Sequence, residues 1–427
     1  MTYKFKTNFI SGLLVSFIAL PLCIAIASAS LFPIMSGIIT AIIGGIIISQ
    51  ISGNKLAING PAAGLIVIIV DSVEKLGNGN HQLGYTLTLG AIIVASILQF
   101  LTSFTKIPII MRKFPEYVIR GMMMSIGLIV LLKQFFILAN YQTPKVSIIE
   151  FIQYIPLALL GMQIESFLIG VLVIFVIVFW KKFLESKNRI FKIIPVYLLA
   201  IALGILLAKL FDLKNNQHFL FQQFAHPSNN NFINISSHIK DAINFPNLEL
   251  LKSQIYSFKF WFSAITIYAV ASLETILSTI ALDKIAKTHT ELKKDLRAIA
   301  IGNFICGMLG GLPMITEIVR SSANVSYGAS NKFSNFFHGL CLLLMVIFFN
   351  SYLNLIPLSV LAGMLIIIAL NMINIQNFIQ IFRANKKEFI IIIFIISATL
   401  YVDLLIGIAV GIILHFIFNH EKKHKKT

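Results

Sequence analysis

The sequence predicts an all-α polytopic membrane protein, and three observations carry that expectation. Of the 427 residues, 57% are apolar and 12% are charged, with a mean hydropathy of +0.88. Soluble domains carry about 25% charge. Apolar runs long enough to cross about 30 Å of hydrocarbon, or about 20 residues each, follow one another along nearly the whole chain. The net charge of +17, from 34 Lys and Arg against 17 Asp and Glu, lies in short clusters between those runs. Such clusters fit the positive-inside rule and form no basic stripe of the kind nucleic acid needs. Disorder is excluded, because disordered chains are poor in apolar residues.

In order, full-length runs begin near Phe9, Leu31, Leu83, Tyr117, Phe167, Ile194, Phe260, Leu296, Phe333, Leu353, Phe389 and Tyr401; only Asp403 divides the last two. Two further runs, Gly60 to Val70 and Ile315 to Tyr327, are about half as long as a span. The total is fourteen segments. Basic clusters follow every even segment: Lys55; Lys106, Arg112 and Lys113; Lys181 to Lys192; Lys284 to Arg297; Lys332; Arg383 to Lys387; and Lys422 to Lys426. With Lys4 and Lys6 they hold 24 of the 34 basic residues, whereas the odd loops hold five: Lys75, Lys145, Lys214, Lys240 and Lys252. This bias predicts an even number of spans with both termini in the cytoplasm.

Lys4 and Lys6 before an apolar run, with Ala27-Ser28-Ala29 after it, imitate a signal peptide. The run is expected to stay, because a second long apolar segment follows at once and cleavage would leave an odd number of spans. Cys23, Cys306 and Cys341 lie in apolar surroundings without metal-ligand spacing or an even set for disulfides, and read as small apolar residues.

A polar stretch from Asp212 to Ser257 sits at the midpoint and separates segments one to seven from eight to fourteen. The two short runs are third in each half. Short, Gly- or Pro-interrupted segments at matching positions point to an inverted-repeat transporter and to its binding site. Before the first, Leu56 to Ile58 reads as extended, and Pro61, which has no amide hydrogen to lose, suits a first helical turn. Before the second, Gly310-Gly311-Leu312-Pro313 precedes a helix expected near Thr316. Two helix amino ends facing one another would attract an anion. The competing reading is that Gly and Pro only kink continuous spans.

Arg320 lies about one turn into the second short run, and an intramembrane Arg is a functional candidate by default. A salt bridge to Glu317, three residues earlier on the same face, competes with a direct role on substrate. Glu274 lies in an otherwise apolar or hydroxylated run, with Ser278 four residues on and on its face. Together they suit Na⁺ through oxygen ligands, a proton on the carboxylate, or a partner role for Arg320. Leu22 and Leu65 are 43 residues apart, and Glu274 and Arg320 are 46 apart, the comparable spacing that a repeat requires. No G-x-S-x-G, H-E-x-x-H or Walker pattern is present, and His289, His338 and His415 are scattered, so no enzyme is expected.

These residues resemble the SulP family, also called solute carrier family 26. Gly12 to Ser30 (GLLVSFIALPLCIAIASAS) resembles its first helix, and Asn59-Gly60-Pro61-Ala62-Ala63-Gly64 its S-G-P-x-G/A-x motif. Pro115 to Met122 resembles its P-x-x-V-I-x-G-F element, with Met122 for Phe. Gly310-Gly311-Leu312-Pro313 and Arg320-Ser321-Ser322-Ala323-Asn324 resemble the pattern opening its tenth helix, with Val319 for the first Ser. The resemblance runs from about Phe9 to His415 and is specific in combination.

It implies fourteen segments as two inverted repeats of seven, like the uracil-transporter fold, with short half-helices 3 and 10. A core domain (about 9–105 and 259–352) moves against a gate domain (about 106–212 and 353–418), and 213–258 forms an extracytoplasmic loop. It also implies an anion site lined by Leu22, Ile26, Leu65, Val319, Arg320 and Ser321, with Glu274 and Ser278 for a coupling cation, Na⁺ or H⁺, and no other cofactor. Most members continue into a cytoplasmic STAS domain; the basic tail at 419–427 is expected to hold none.

The function expected is alternating-access transport of a small inorganic oxyanion, sulfate or bicarbonate. An uncoupled anion channel of the same fold is the alternative. The variant Gly311-Leu312-Pro313-Met314-Ile315-Thr316-Glu317-Ile318-Val319-Arg320 resembles members associated with carbonic anhydrases, which implies that functional link. Membrane lipid and a homodimer are the other partners expected, in a bacterial cytoplasmic (inner) membrane.

Overall fold

The computed structural model describes residues 2–112, 115–142, 148–187, 191, 194–215, 218–227, 231–233 and 243–424. Lys113, Lys145, Lys192, Lys240, parts of the expected 213–258 loop and the end of the 419–427 tail lie outside the described residues. In chain order the principal elements are α1 (Thr2–Ala29), α2 (Ile34–Ile43), β1 (Asn59–Pro61), α3 (Ile66–Gly77), α4 (His81–Ser103), α5 (Glu116–Leu138), α6 (Phe151–Leu160), α7 (Ile164–Phe179), α8 (Val196–Leu210), α9 (Phe258–Ala286), α10 (Leu292–Leu309), β2 (Met314–Thr316), α11 (Ile318–Ser326), α12 (Phe333–Leu353), α13 (Leu358–Ile373), α14 (Ile375–Ala384), α15 (Lys386–Tyr401) and α16 (Leu404–His424).

The molecule is an integral membrane protein. Among the described residues eight helices are long and apolar enough to cross a membrane, and α6, α8 and Leu404–Phe418 are shorter apolar helices. The sequence suggests twelve full-length spans, so the remaining four need an account. The run near Leu296 becomes α10, which carries Lys293, Lys294, Asp295 and Arg297 in its first turns. The runs near Ile194 and Phe389 become α8, with 15 residues, and α15, with 16. The last run becomes α16, whose apolar part ends before a charged final turn.

The chain divides into two compact units. The first comprises Met1–Arg112, Phe175–Leu207 and Phe232–Leu361; the second comprises Lys113–Ile174, Ala208–Asn231 and Ala362–Thr427. In the second unit α5 packs on α15 and α16 through Val118, Met124, Ile391, Ile392 and Ile395. The chain reverses at Val402–Asp403, the break that Asp403 marks in the sequence, and the Asp403 carboxylate accepts the Leu405 amide at 2.9 Å as a helix cap. Glu165 at the start of α7 pairs with His218.

The first unit contains both short runs. α1 is predominantly apolar beyond its first turns and carries Pro21 in its interior, which membrane helices tolerate when neighbours satisfy the freed backbone. The two short runs meet as an antiparallel strand pair, with Asn59 opposite Thr316, Gly60 opposite Ile315 and Pro61 opposite Met314. This corrects one local expectation: Pro61 is in a strand, and its helix begins only at a tight turn, Ala63–Leu65, that leads into α3. The reason is the ladder's alternation. Glu317 donates its amide to the Ile58 carbonyl at 2.9 Å, so every second pair, Pro61 with Met314 among them, turns its backbone groups outward. A proline there loses no ladder bond. The second helix likewise starts two residues past Thr316, which ends β2.

Non-helical backbone at this depth needs protein partners, and buried polar side chains supply them. Asn54 Oδ1 accepts the Leu56 and Ala57 amides at 2.9 and 3.1 Å. Asn324 Nδ2 donates to the Leu56 carbonyl at 2.9 Å, and its Oδ1 accepts the Ser11 hydroxyl at 2.7 Å. Asp295, 1% exposed, accepts from Ser52 Oγ at 2.6 Å, Thr279 Oγ1 at 2.7 Å and Thr316 Oγ1 at 3.4 Å. It therefore ties the approach to β1, the helix α9 and the end of β2 to one carboxylate. Asp295→Ala is expected to destabilise the detergent-solubilised protein by at least about 2 kcal/mol, since it strands several donors to a charged acceptor. Thermal unfolding followed by intrinsic fluorescence checks this; an unchanged midpoint would show the knot to be dispensable.

Candidate functional site

The site is built where β1 and β2 hand over to their half-helices. α3 begins buried and α11 half-buried, and neither Leu65 nor Glu317 caps its own helix; the Glu317 carboxylate instead meets the Ala63 amide in the turn that opens α3. Helix amino ends carry orphan N–H groups and about half a positive charge. First-turn amides that no side chain takes call for another acceptor, and an anion is one whose charge matches.

Arg320 occupies the first turn of α11 and is 1% exposed, the largest of the fully buried side chains. Its guanidinium makes two long contacts, Nη1 to Cys23 Sγ at 3.5 Å and Nη2 to the Pro61 carbonyl at 3.4 Å. Nε has no partner. Five N–H donors in a rigid fork therefore meet two weak acceptors. The salt bridge to Glu317 that the spacing allows does not close to bonding distance, although the two charges still act on one another. Gly60 gives the guanidinium its room: a Cβ there would lie 2.4 Å from Nη1.

Four residues further on, Gly64 does the same for Glu274. A Cβ on Gly64 would lie 1.7 Å from Glu274 Oε1, so the carboxylate rests on bare backbone where α3 begins. Glu274 is 6% exposed, and Oε1 has no hydrogen-bond partner. An unpartnered, buried oxygen suits a cation or a proton. No cluster of three or more His, Cys, Asp or Glu side chains occurs among the described residues.

The other expected residues are placed as follows. Leu22 and Ile26 are buried on one face of α1 beside Cys23, and Leu65 is buried next to Gly64. Ser321 is buried, but its hydroxyl already accepts the Ile58 amide at 2.9 Å, so it secures the strand. Val319 is 54% exposed, unlike the other members of the set. Ser278 is half-buried one turn along α9 from Glu274. Arg320 and Glu274 thus stand at the two ends of the five-residue link Gly60–Gly64.

Several contributors escape sequence reasoning. Gly60, Gly64 and the Pro61 carbonyl act through what they lack or through backbone. Gln99 and Asn303 are polar side chains buried in apolar helices, the signal that could have found them.

Broken helices meeting inside an integral membrane protein beside a buried cation are the arrangement of a membrane transporter. The chain belongs to the sulfate permease family, whose model matches residues 5–395, as its motifs imply. YvdB of Bacillus subtilis (strain 168) is 26% identical over 99% of this chain and 75% of that protein. The bicarbonate transporter BicA of Picosynechococcus sp. is 21% identical over 98% of this chain and 70% of that protein. The fold matches the transmembrane domain of a cyanobacterial BicA with a TM-score of 0.79 at 20% identity, covering 96% of this chain and 98% of that one. It matches murine Slc26a9 in its inward-facing state with a TM-score of 0.82 at 14% identity, covering 97% and 68%.

Proposed function

We infer that the chain is a secondary active transporter of a small inorganic oxyanion, sulfate or bicarbonate. YvdB bears a sulfate transporter's name and BicA that of a bicarbonate transporter. The observation that carries the reading is Arg320: a fully buried guanidinium with two weak contacts and a free Nε, beside two helix amino ends. An oxyanion meets these donors with several oxygens at once, lined by Leu22, Ile26 and Leu65, with Val319 and Ser321 flanking Arg320.

Fourteen segments in two inverted repeats of seven, with core and gate domains rocking about one fixed site, are the arrangement under which a single buried site reaches both sides in turn. The basic clusters orient it with both termini in the cytoplasm of a bacterial cell. Glu274 and Ser278 take the coupling ion. A Na⁺ or H⁺ on Glu274 neutralises a carboxylate that would otherwise repel the anion nearby. The fully loaded site is thereby favoured over either half-loaded one, which is the condition for symport.

Reconstitution in liposomes with labelled sulfate and labelled bicarbonate, each with and without Na⁺ and a pH gradient, tests the reading. Saturable uptake of one of them, driven by a cation gradient, is expected. Uncoupled current far above a carrier's turnover would instead mark a channel of the same fold. Glu274→Gln is expected to remove the cation dependence while leaving anion affinity within about threefold of that of the cation-loaded wild type, because it mimics the neutralised carboxylate. Persistence of full cation dependence would place coupling elsewhere.

A further inference from the structure

Four buried groups that the transport reading leaves unused lie on one continuous line through the first unit. The outward-turned Met314 amide of β2 donates to Asn303 Oδ1 at 2.6 Å. Asn303 Nδ2 donates to Gln99 Oε1 at 2.9 Å, and Gln99 Nε2 donates to Ser272 Oγ at 3.2 Å. Asn303 is 3%, Gln99 1% and Ser272 0% exposed. Every donor points the same way, from β2 through α10 and α4 to α9, so the bonds polarise one another. Gln99 sits among Ile97, Leu98, Phe100 and Leu101, where an amide is costly unless both its ends are engaged.

The two ends of the line are the supports of the two charged residues. Met314 opens the strand that delivers Arg320 to the Pro61 carbonyl. Ser272 is two residues before Glu274, about 200° around the helix, and α9 packs on both α4 and α3. Holding Ser272 against α4 turns Glu274 to the opposite side, where Gly64 receives it.

We propose that the Asn303–Gln99–Ser272 line is a positioning link that couples the cation end of the site to its anion end. It sets the rotation of α9 and the outward face of β2 together, so a displacement at Glu274 is passed to the strand carrying Arg320. The proposal rests on the assignment of those two residues made above, and Gln99, in the middle, is its critical member.

The test is a mutant cycle read as equilibrium binding of labelled sulfate and bicarbonate to purified protein in nanodiscs without added coupling cation. Its members are wild type, Gln99→Leu, Glu274→Gln and the double variant. Glu274→Gln is expected to tighten anion binding about tenfold in the native background and less than about twofold beside Gln99→Leu. Gln99→Glu, which still accepts from Asn303 and from the Ser272 hydroxyl, is expected to restore most of the difference. Effects that simply multiply would overturn the link, since a merely structural Gln99 weakens both backgrounds alike. Hydrogen exchange gives a reading independent of any anion: Gln99→Leu is expected to speed exchange of the Met314 amide at least about fivefold. Unchanged protection there overturns the link even if neither anion binds, an outcome that would separately end the substrate assignment.

Discussion

Arg320→Ala is expected to abolish saturable uptake of both sulfate and bicarbonate while the protein still folds and inserts. The guanidinium's present hydrogen bonds, to a thiol and to one carbonyl, are weak, so its removal strands few hydrogen-bond partners in the empty protein, and the main group left behind is the nearby Glu317 carboxylate. Its contacts with an oxyanion would be desolvated and charge-assisted, and losing one partner of such a pair costs about 2–5 kcal/mol. Apparent affinity should therefore fall by at least about 30-fold. Arg320→Lys keeps the charge but not the planar fork and should recover only part of it. Added sulfate or bicarbonate should stabilise wild type alone. Uptake with unchanged affinity in Arg320→Ala would make Arg320 a structural residue and void the site.

The second large effect is expected from Gly64→Ala, a single methyl group. Its Cβ would lie 1.7 Å from Glu274 Oε1, inside any van der Waals contact, so the carboxylate or the start of α3 must move. Small-to-large changes in packed interiors cost about 1–3 kcal/mol, and here the displaced group is the proposed cation ligand. Uptake measured against Na⁺ and against pH should lose its cation dependence, with the half-saturating cation concentration raised about tenfold or more. Shortening the acid makes room, so Gly64→Ala with Glu274→Asp should recover part of the dependence. Failure of the pair to do better than Gly64→Ala alone would show that the damage lies in the helix start and not at the carboxylate.

The membrane class is legible in the apolar runs themselves. Arg320 and Glu274 stand out because each violates the apolar background of its run, and a violation at membrane depth is expensive. The broken segments are legible because Gly and Pro interrupt them at matching positions. The strand pair is not: Asn59–Pro61 and Met314–Thr316 are three residues each, lie far apart in the chain, and show no alternation long enough to read. Pro61 is assigned to a helix by its local preference, and the ladder geometry places it in a strand. Asp295, flanked by Lys293, Lys294 and Arg297, reads as part of a solvated charged turn, yet it is buried on three hydroxyls. Ser321 has the right type for a ligand, but its hydroxyl is committed to Ile58, which no spacing rule reveals.

The central claim is that an oxyanion binds where the amino ends of α3 and α11 meet Arg320. Cryo-electron microscopy of the protein in nanodiscs, at saturating sulfate and at saturating bicarbonate, addresses it most directly. The expected result is anion density against the Arg320 guanidinium and the first-turn amides of both half-helices, with the contacts to Cys23 and Pro61 given up. Density seated elsewhere while Arg320 stays on Pro61, or either half-helix running unbroken through its strand, would contradict it.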